Sequence, residues 1–162
     1  MNDAQDRDLL VRLIDEADVY VQNFRPGVAE KLGLGPAHLQ KRNPRLIYCS
    51  ISGFGQDGPL SGRPTYDTVA QGMSGFLSMY VSTDEPRIFG PAIADTLPGL
   101  YAAYGILGAI AGRDRTGRAA QVDISMLEAM MHAASEPFAN HFDPDVPWGP
   151  YDRASFAPTA RR

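Results

Sequence analysis

Apolar residues recur at helical spacing in DRDLLVRLIDEA (6–17), where Leu9, Leu10, Leu13, Ile14 and Ala17 share a face and the charges lie opposite. That stripe predicts an amphipathic helix. DVYVQNF (18–24) has the composition of a short strand and ends at an RPG turn. PGVAEKLGLG predicts a brief helix stopped by Gly33 and Gly35. PAHLQKRNP predicts another, opened by Pro36 and closed before Pro44. RLIYCSISGFG (45–55) is almost continuously apolar, the pattern of a parallel strand buried on both faces.

A Gly/Pro-rich loop, GFGQDGPLSGRP (53–64), follows, and TYDTVAQGMSGFLSMY (65–80) reads as a helix with small residues on one side. Beyond a polar turn, FGPAIAD leads into a long helix expected from about 96 to 112. AQVDIS (120–125) reads as a strand and MLEAMMHAASEPFANHF as a helix interrupted at Pro137. Residues 143–162 are proline-rich without an apolar period and predict a loop or tail.

Helices alternating with strands imply an α/β fold: part of a Rossmann-like parallel sheet with flanking helices. Two or three strands are few for a free-standing parallel sheet, whose faces and edges need covering. Residues 1–142 therefore read as an incomplete domain that belongs to a larger fold or needs a partner, and 143–162 as its tail.

Composition narrows the class. An apolar fraction of 44% with 21% charged residues is ordinary for a soluble globular chain of 162 residues. The net charge of −4 and the absence of a dense Lys/Arg run argue against nucleic-acid binding. The single cysteine, Cys49, excludes an intrachain disulfide and sits in an apolar run as a buried, inert thiol. No Cys/His pattern resembles a zinc site, and no metal is expected. The N-terminus is acidic and polar, unlike a targeting peptide. The most apolar stretch, 97–111, is studded with Gly and Ala and is short for a bilayer span. A cytoplasmic protein without membrane contact is expected.

Asp95 is the one side chain charged at neutral pH in FGPAIADTLPGLYAAYGILGAIAG (89–112). It has two readings. As an N-cap it would accept a hydrogen bond from the amide of residue 97, with Pro98 tolerated in the first turn. As a nucleophile it would be charged, fixed at a helix N-terminus and left reachable by the surrounding small residues. In QNFRPGVAEKLGLG (22–35), Asn23 and Phe24 end a strand, and Arg25 and Lys31 follow. Ligands of open α/β sheets bind outside the carboxyl ends of strands. An amide, an aromatic face and two cations there suit an adenine nucleotide, or else a cap, a packed ring and solvated charges. ISGFGQDGP (51–59) lacks the lysine and hydroxyl of a Walker A loop. Tyr66 and Asp67 open the next helix and could face the same crevice; Asp67 also suits a cap. His38, His132 and His141 have no Ser or Cys at diagnostic spacing.

Five stretches taken together, ADVYVQNFRPGVAEKLGLG, NPRLIYCSISGFGQDGP, PTYDTVAQGMSG, IADTLPGLYAAYGILGA and RTGRAAQVDISMLEAM, resemble in this order the class III CoA-transferases. That family includes formyl-CoA:oxalate and carnitine CoA-transferases and α-methylacyl-CoA racemase. The resemblance covers roughly residues 5–132. It implies that Asp95 is the nucleophile, passing CoA through a covalent aspartyl-CoA thioester. It also implies that Asn23, Phe24 and Lys31 hold the CoA nucleotide with Arg25 beside them, and that Tyr66 and Asp67 line the CoA site. Acyl-CoA and a small carboxylic acid would be the substrates, with no permanently bound cofactor.

Members of that family are much longer and form interlocked dimers. The resemblance thus implies a central fragment, completed by a homodimer partner or a complementary segment. Two alternatives remain on the same scaffold. One is the racemase or dehydratase branch, which places a His where this chain has Tyr66. The other is a non-catalytic remnant that associates with a homologous chain.

Overall fold

The computed structural model describes residues 4–81, 84, 87–88, 90–135, 138–139 and 142. Its centre is a three-stranded parallel sheet of β1 (Val19–Gln22), β2 (Ile47–Ser52) and β3 (Gln121–Ser125), in the order β1-β2-β3. The middle strand is the continuous apolar run, buried along almost its whole length because it has neighbours on both edges.

Successive side chains point to opposite faces, and helices cover each face differently. Tyr20 and Tyr48, in register on one face, pack with α1 (Ala4–Asp15) and α3 (Pro36–Arg42) around Ile14, Leu34, Leu39 and Leu46. The Tyr48 hydroxyl donates to the Leu34 carbonyl at 2.9 Å, so this buried phenol has a partner. Arg42 grips Asp15 with two nitrogens and ties α3 to α1. On the opposite face Val122, in register with Cys49, meets α5 (Ile93–Thr116) where Gly105 leaves no Cβ. A Cβ at Gly105 would lie 2.8 Å from Val122 Cγ1. Short α2 (Val28–Lys31) lies between β1 and α3, and α4 (Asp67–Met73), α5 and α6 (Met126–Ala133) share a second core of Ala70, Phe76, Met79, Ala94 and Met130.

Two expectations change. The helix expected over 65–80 ends at Met73; Gly75, at φ 79°, breaks the path, and Phe76–Met79 form a separate 3-10 turn. The long helix runs from Ile93 to Thr116, longer at both ends than the apolar stretch that signals it. By length and composition α5 could cross a membrane, but here it packs on β2, β3, α4 and α6. The tail expected over 143–162 and the interruption at Pro137 lie outside the described residues.

Arg113 anchors the far end of α5. It is 6% exposed, pairs with Asp18 at 2.9 Å and donates to the Arg45 carbonyl at 2.9 Å. A buried guanidinium with these partners pins the last turn of α5 beneath the starts of β1 and β2. The first turn of α5 is thereby delivered to the carboxyl edge of the sheet.

Candidate active site

A cavity of ≈ 400 Å³ opens at that edge, lined by the ends of β1 and β2, the loop before α4 and the first turn of α5. Local chemistry builds each wall. At the end of β1, buried Gln22 donates to Ser50 Oγ at 3.1 Å, its register partner on β2. Its other amide atom, Oε1, accepts from the Phe24 amide at 2.7 Å. The turn is thus clamped as it leaves the sheet, and Asn23 and Phe24 face the cavity. Arg25-Pro26-Gly27-Val28 then closes a turn with Val28 N donating to the Arg25 carbonyl at 3.0 Å. Gly27 sits at φ 81°, the left-handed position a type II turn requires after proline. Arg25 is held at the cavity wall by this turn.

Ser52, the last residue of β2, and Gly53 after it line the cavity. The Gly53 carbonyl accepts from the Leu127 amide at 3.1 Å, joining the strand end to α6. Thr65 crosses so closely that a Cβ on Gly53 would lie 2.3 Å from its hydroxyl oxygen. The Gln56 amide donates to Asp123 at 2.9 Å and holds the intervening loop against β3. That loop brings Ser61, Arg63 and Thr65 to the cavity.

Asp95 completes the wall with Pro98 and Met126. The cap reading is corrected here. Ala92, which has no acceptor side chain, occupies the N-cap, so Asp95 is the third helical residue and caps nothing. The open amides of the first turn are satisfied by Asp67 on α4. Its Oδ1 accepts from the Ala94 amide at 2.7 Å and the Asp95 amide at 3.3 Å. The Asp95 carboxylate is left exposed, and like the guanidinium groups of Arg25 and Arg63 it has no hydrogen bond or ion pair among the described residues.

Asp95, Asn23, Phe24 and Arg25 therefore meet in one cavity. Lys31 does not join them. It lies with Arg7, Asp8 and His38 in a separate depression of ≈ 410 Å³. Tyr66 is 71% exposed, and neither it nor Asp67 lines the cavity. Sequence reasoning missed Arg63, Ser61, Thr65 and Ser52, whose only signal was their place at the end of β2 or in the Gly/Pro-rich loop that follows it. Among the described residues no His, Cys, Asp and Glu cluster could hold a metal ion. His132 contacts the Tyr101 hydroxyl in another hollow, with Asp123 and Glu128. Cys49 is fully buried, and desolvation pushes its thiol up to about 11.

Parallel strands with helices on both faces define an α/β protein, and its cavity lies at the carboxyl edge of the sheet, where open α/β sheets bind ligands. The model of CoA-transferase family III matches residues 1–156, and the chain belongs to that family. It is 42% identical over 133 residues to acetyl-CoA:oxalate CoA-transferase of Acetobacter aceti, covering 81% of this chain and 34% of that enzyme. It is 40% identical over 121 residues to succinate–glutarate CoA-transferase of Agrobacterium fabrum, covering 74% of this chain and 30% of that one. Among solved structures, a CaiB/BaiF family protein from Brucella suis matches with a TM-score of 0.88 and 36% identity, over 94% of this chain and 40% of that one. The chain spans about a third of the length of the curated relatives it matches.

Proposed function

We propose that this chain carries the nucleophile and part of the CoA site of an acyl-CoA:carboxylate CoA-transferase. The observation that carries the reading is Asp95: a carboxylate without a partner among the described residues, fixed in the first turn of α5, on a cavity that also presents Arg25 and Arg63. A side chain retained for stability would be engaged in the cap, and this one is not.

In the proposed sequence the Asp95 carboxylate attacks the acyl-CoA carbonyl. The C–S bond breaks, CoA leaves as thiolate, and an acyl-aspartyl anhydride remains. The thiolate then attacks the Asp95 carbonyl, releasing the donor acid as carboxylate and leaving an aspartyl-CoA thioester. The acceptor carboxylate attacks that thioester, and the returning thiolate attacks the acceptor's carbonyl in the new anhydride. Asp95 is regenerated and acceptor acyl-CoA departs. The covalent route divides one difficult transfer into easier ones. Arg25 and Arg63 would hold anionic groups of CoA or acid, since a guanidinium matches phosphate and carboxylate geometry. Phe24 would offer its ring to the nucleotide. A second copy, or further chain, would supply the rest of the site. The exposed Tyr66, outside the cavity and not a His, counts against the racemase branch.

Exchange of CoA between acetyl-CoA and oxalate or between succinyl-CoA and glutarate, followed by liquid chromatography, tests the reading. Asp95→Asn should abolish exchange, and because Asp95 caps nothing its fold should persist in circular dichroism. Undiminished exchange in that variant would end the proposal.

A further inference from the structure

We infer that Asp67 is a positioning residue for Asp95, acting through the helix start rather than through ligand contact. This role rests on the acyl-CoA reading of Asp95. The first four amides of α5 can be traced one by one. Ile93 N donates to the Pro91 carbonyl at 2.7 Å, and Thr96 N to the Ala92 carbonyl at 3.2 Å. Between them, the Ala94 and Asp95 amides both donate to Asp67 Oδ1. These are the second and third helical residues, the pair that an acidic N-cap residue ordinarily satisfies. Here the acceptor comes from 27 and 28 residues earlier in the chain.

The second Asp67 oxygen is held as well. Gln71, one turn later on α4 and 1% exposed, donates its amide to Oδ2. A buried amide thus orients the carboxylate, and the carboxylate orients the α5 start. The consequence falls on Asp95. Its own amide is tethered to Asp67, which fixes the backbone from which its side chain projects. Its own carboxylate is not drawn into the cap, as it would be if Asp95 stood at the helix start. Holding one group while freeing the other is what a nucleophile on a helix end needs, because small displacements of a reacting group cost rate steeply.

The experiment compares Asp67→Ala and Asp67→Asn with the unsubstituted chain in two measurements. The first is amide hydrogen exchange by NMR, with no ligand, at Ala94 and Asp95, with Ala102 as an internal control for folding. The second is the rate of Asp95 acylation by acetyl-CoA and succinyl-CoA across a concentration series. Asp67→Ala should speed exchange at Ala94 and Asp95 about tenfold while leaving Ala102 unchanged. It should slow acylation at saturation about tenfold to a hundredfold, with half-saturation shifted by less than about twofold. Asp67→Asn keeps an acceptor oxygen for both amides and should restore the saturated rate to within about threefold.

Unchanged exchange at both amides would overturn the inference. A raised half-saturation with an unchanged saturated rate would do so too, assigning Asp67 to the ligand instead. Failure of Asn to rescue would overturn it as well. Absence of any adduct in the unsubstituted protein overturns the acyl-CoA reading, and the ligand-free exchange measurement distinguishes that failure from loss of the cap itself.

Discussion

Asp67 and Asp95 show how little a residue's type says about its role. Both are acids near a helix start, and either could be a cap from its neighbours in sequence. The structure gives the cap of α5 to Asp67 and leaves the Asp95 carboxylate without a partner among the described residues. Stability should divide them accordingly. Asp67→Ala loses a cap and should cost about 1–2 kcal/mol, whereas Asp95→Asn, at an exposed and unpartnered side chain, should stay within about 0.5 kcal/mol. Urea unfolding followed by circular dichroism checks the order, and a larger loss in Asp95→Asn would contradict it. The division was not legible in sequence because the cap joins residues on two helices, and no local pattern encodes that contact. Cys49 was legible, since a thiol in a continuous apolar strand has no other place to go. Burial raises its pKa from 9.0 to about 11. About one thiol in a thousand is then ionised at pH 8. Iodoacetamide should label it far more slowly in native protein than in urea, and equal rates would contradict its burial. Because the folded pKa is the raised one, this thiol's contribution to stability is complete below pH 9 and is lost as pH climbs through about 11.

At the scale of elements, periodicity located all three described strands and the six α-helices, because each buries one face or one run against a neighbour. It failed where a backbone contact decides the path. Gly75 ends α4 by its left-handed backbone, which a count of apolar residues does not register. The loop from Gly53 to Pro64 read only as a Gly/Pro-rich connection, yet it supplies Ser61 and Arg63 to the cavity wall. Its geometry depends on Gly53, since an added Cβ would meet Thr65 Oγ1 at 2.3 Å and Thr65 Cβ at 2.4 Å. Gly53→Ala should therefore destabilise by about 1–3 kcal/mol through overpacking. Thr65→Ala in the same chain should not restore stability, because the Thr65 Cβ remains. Thermal unfolding of the single and double variants checks this, and full recovery in the double variant would contradict the contact.

For the whole molecule, a parallel sheet of few strands was legible, and the described residues form one of three strands, while the chain spans about a third of each curated relative. The outward face of α5 shows what that means physically. Leu100, Tyr104 and Leu107 follow at helical spacing and are 65%, 79% and 65% exposed. A contiguous apolar stripe of that kind drives association in water. Light scattering across a dilution series should show a mass above the monomer at high concentration, and Tyr104→Glu with Leu107→Lys should lower it. A monomer at every concentration in the unsubstituted chain would contradict this.

Peptide-resolved mass spectrometry tests most directly whether Asp95 is the nucleophile. The protein, with any partner chain it requires, is incubated with acetyl-CoA and succinyl-CoA and trapped with hydroxylamine, which converts an activated carboxyl to a hydroxamate. A nucleophilic Asp95 predicts a hydroxamate on the peptide that contains it and none in Asp95→Asn. Labelling of another residue, or equal labelling in both proteins, would contradict that role.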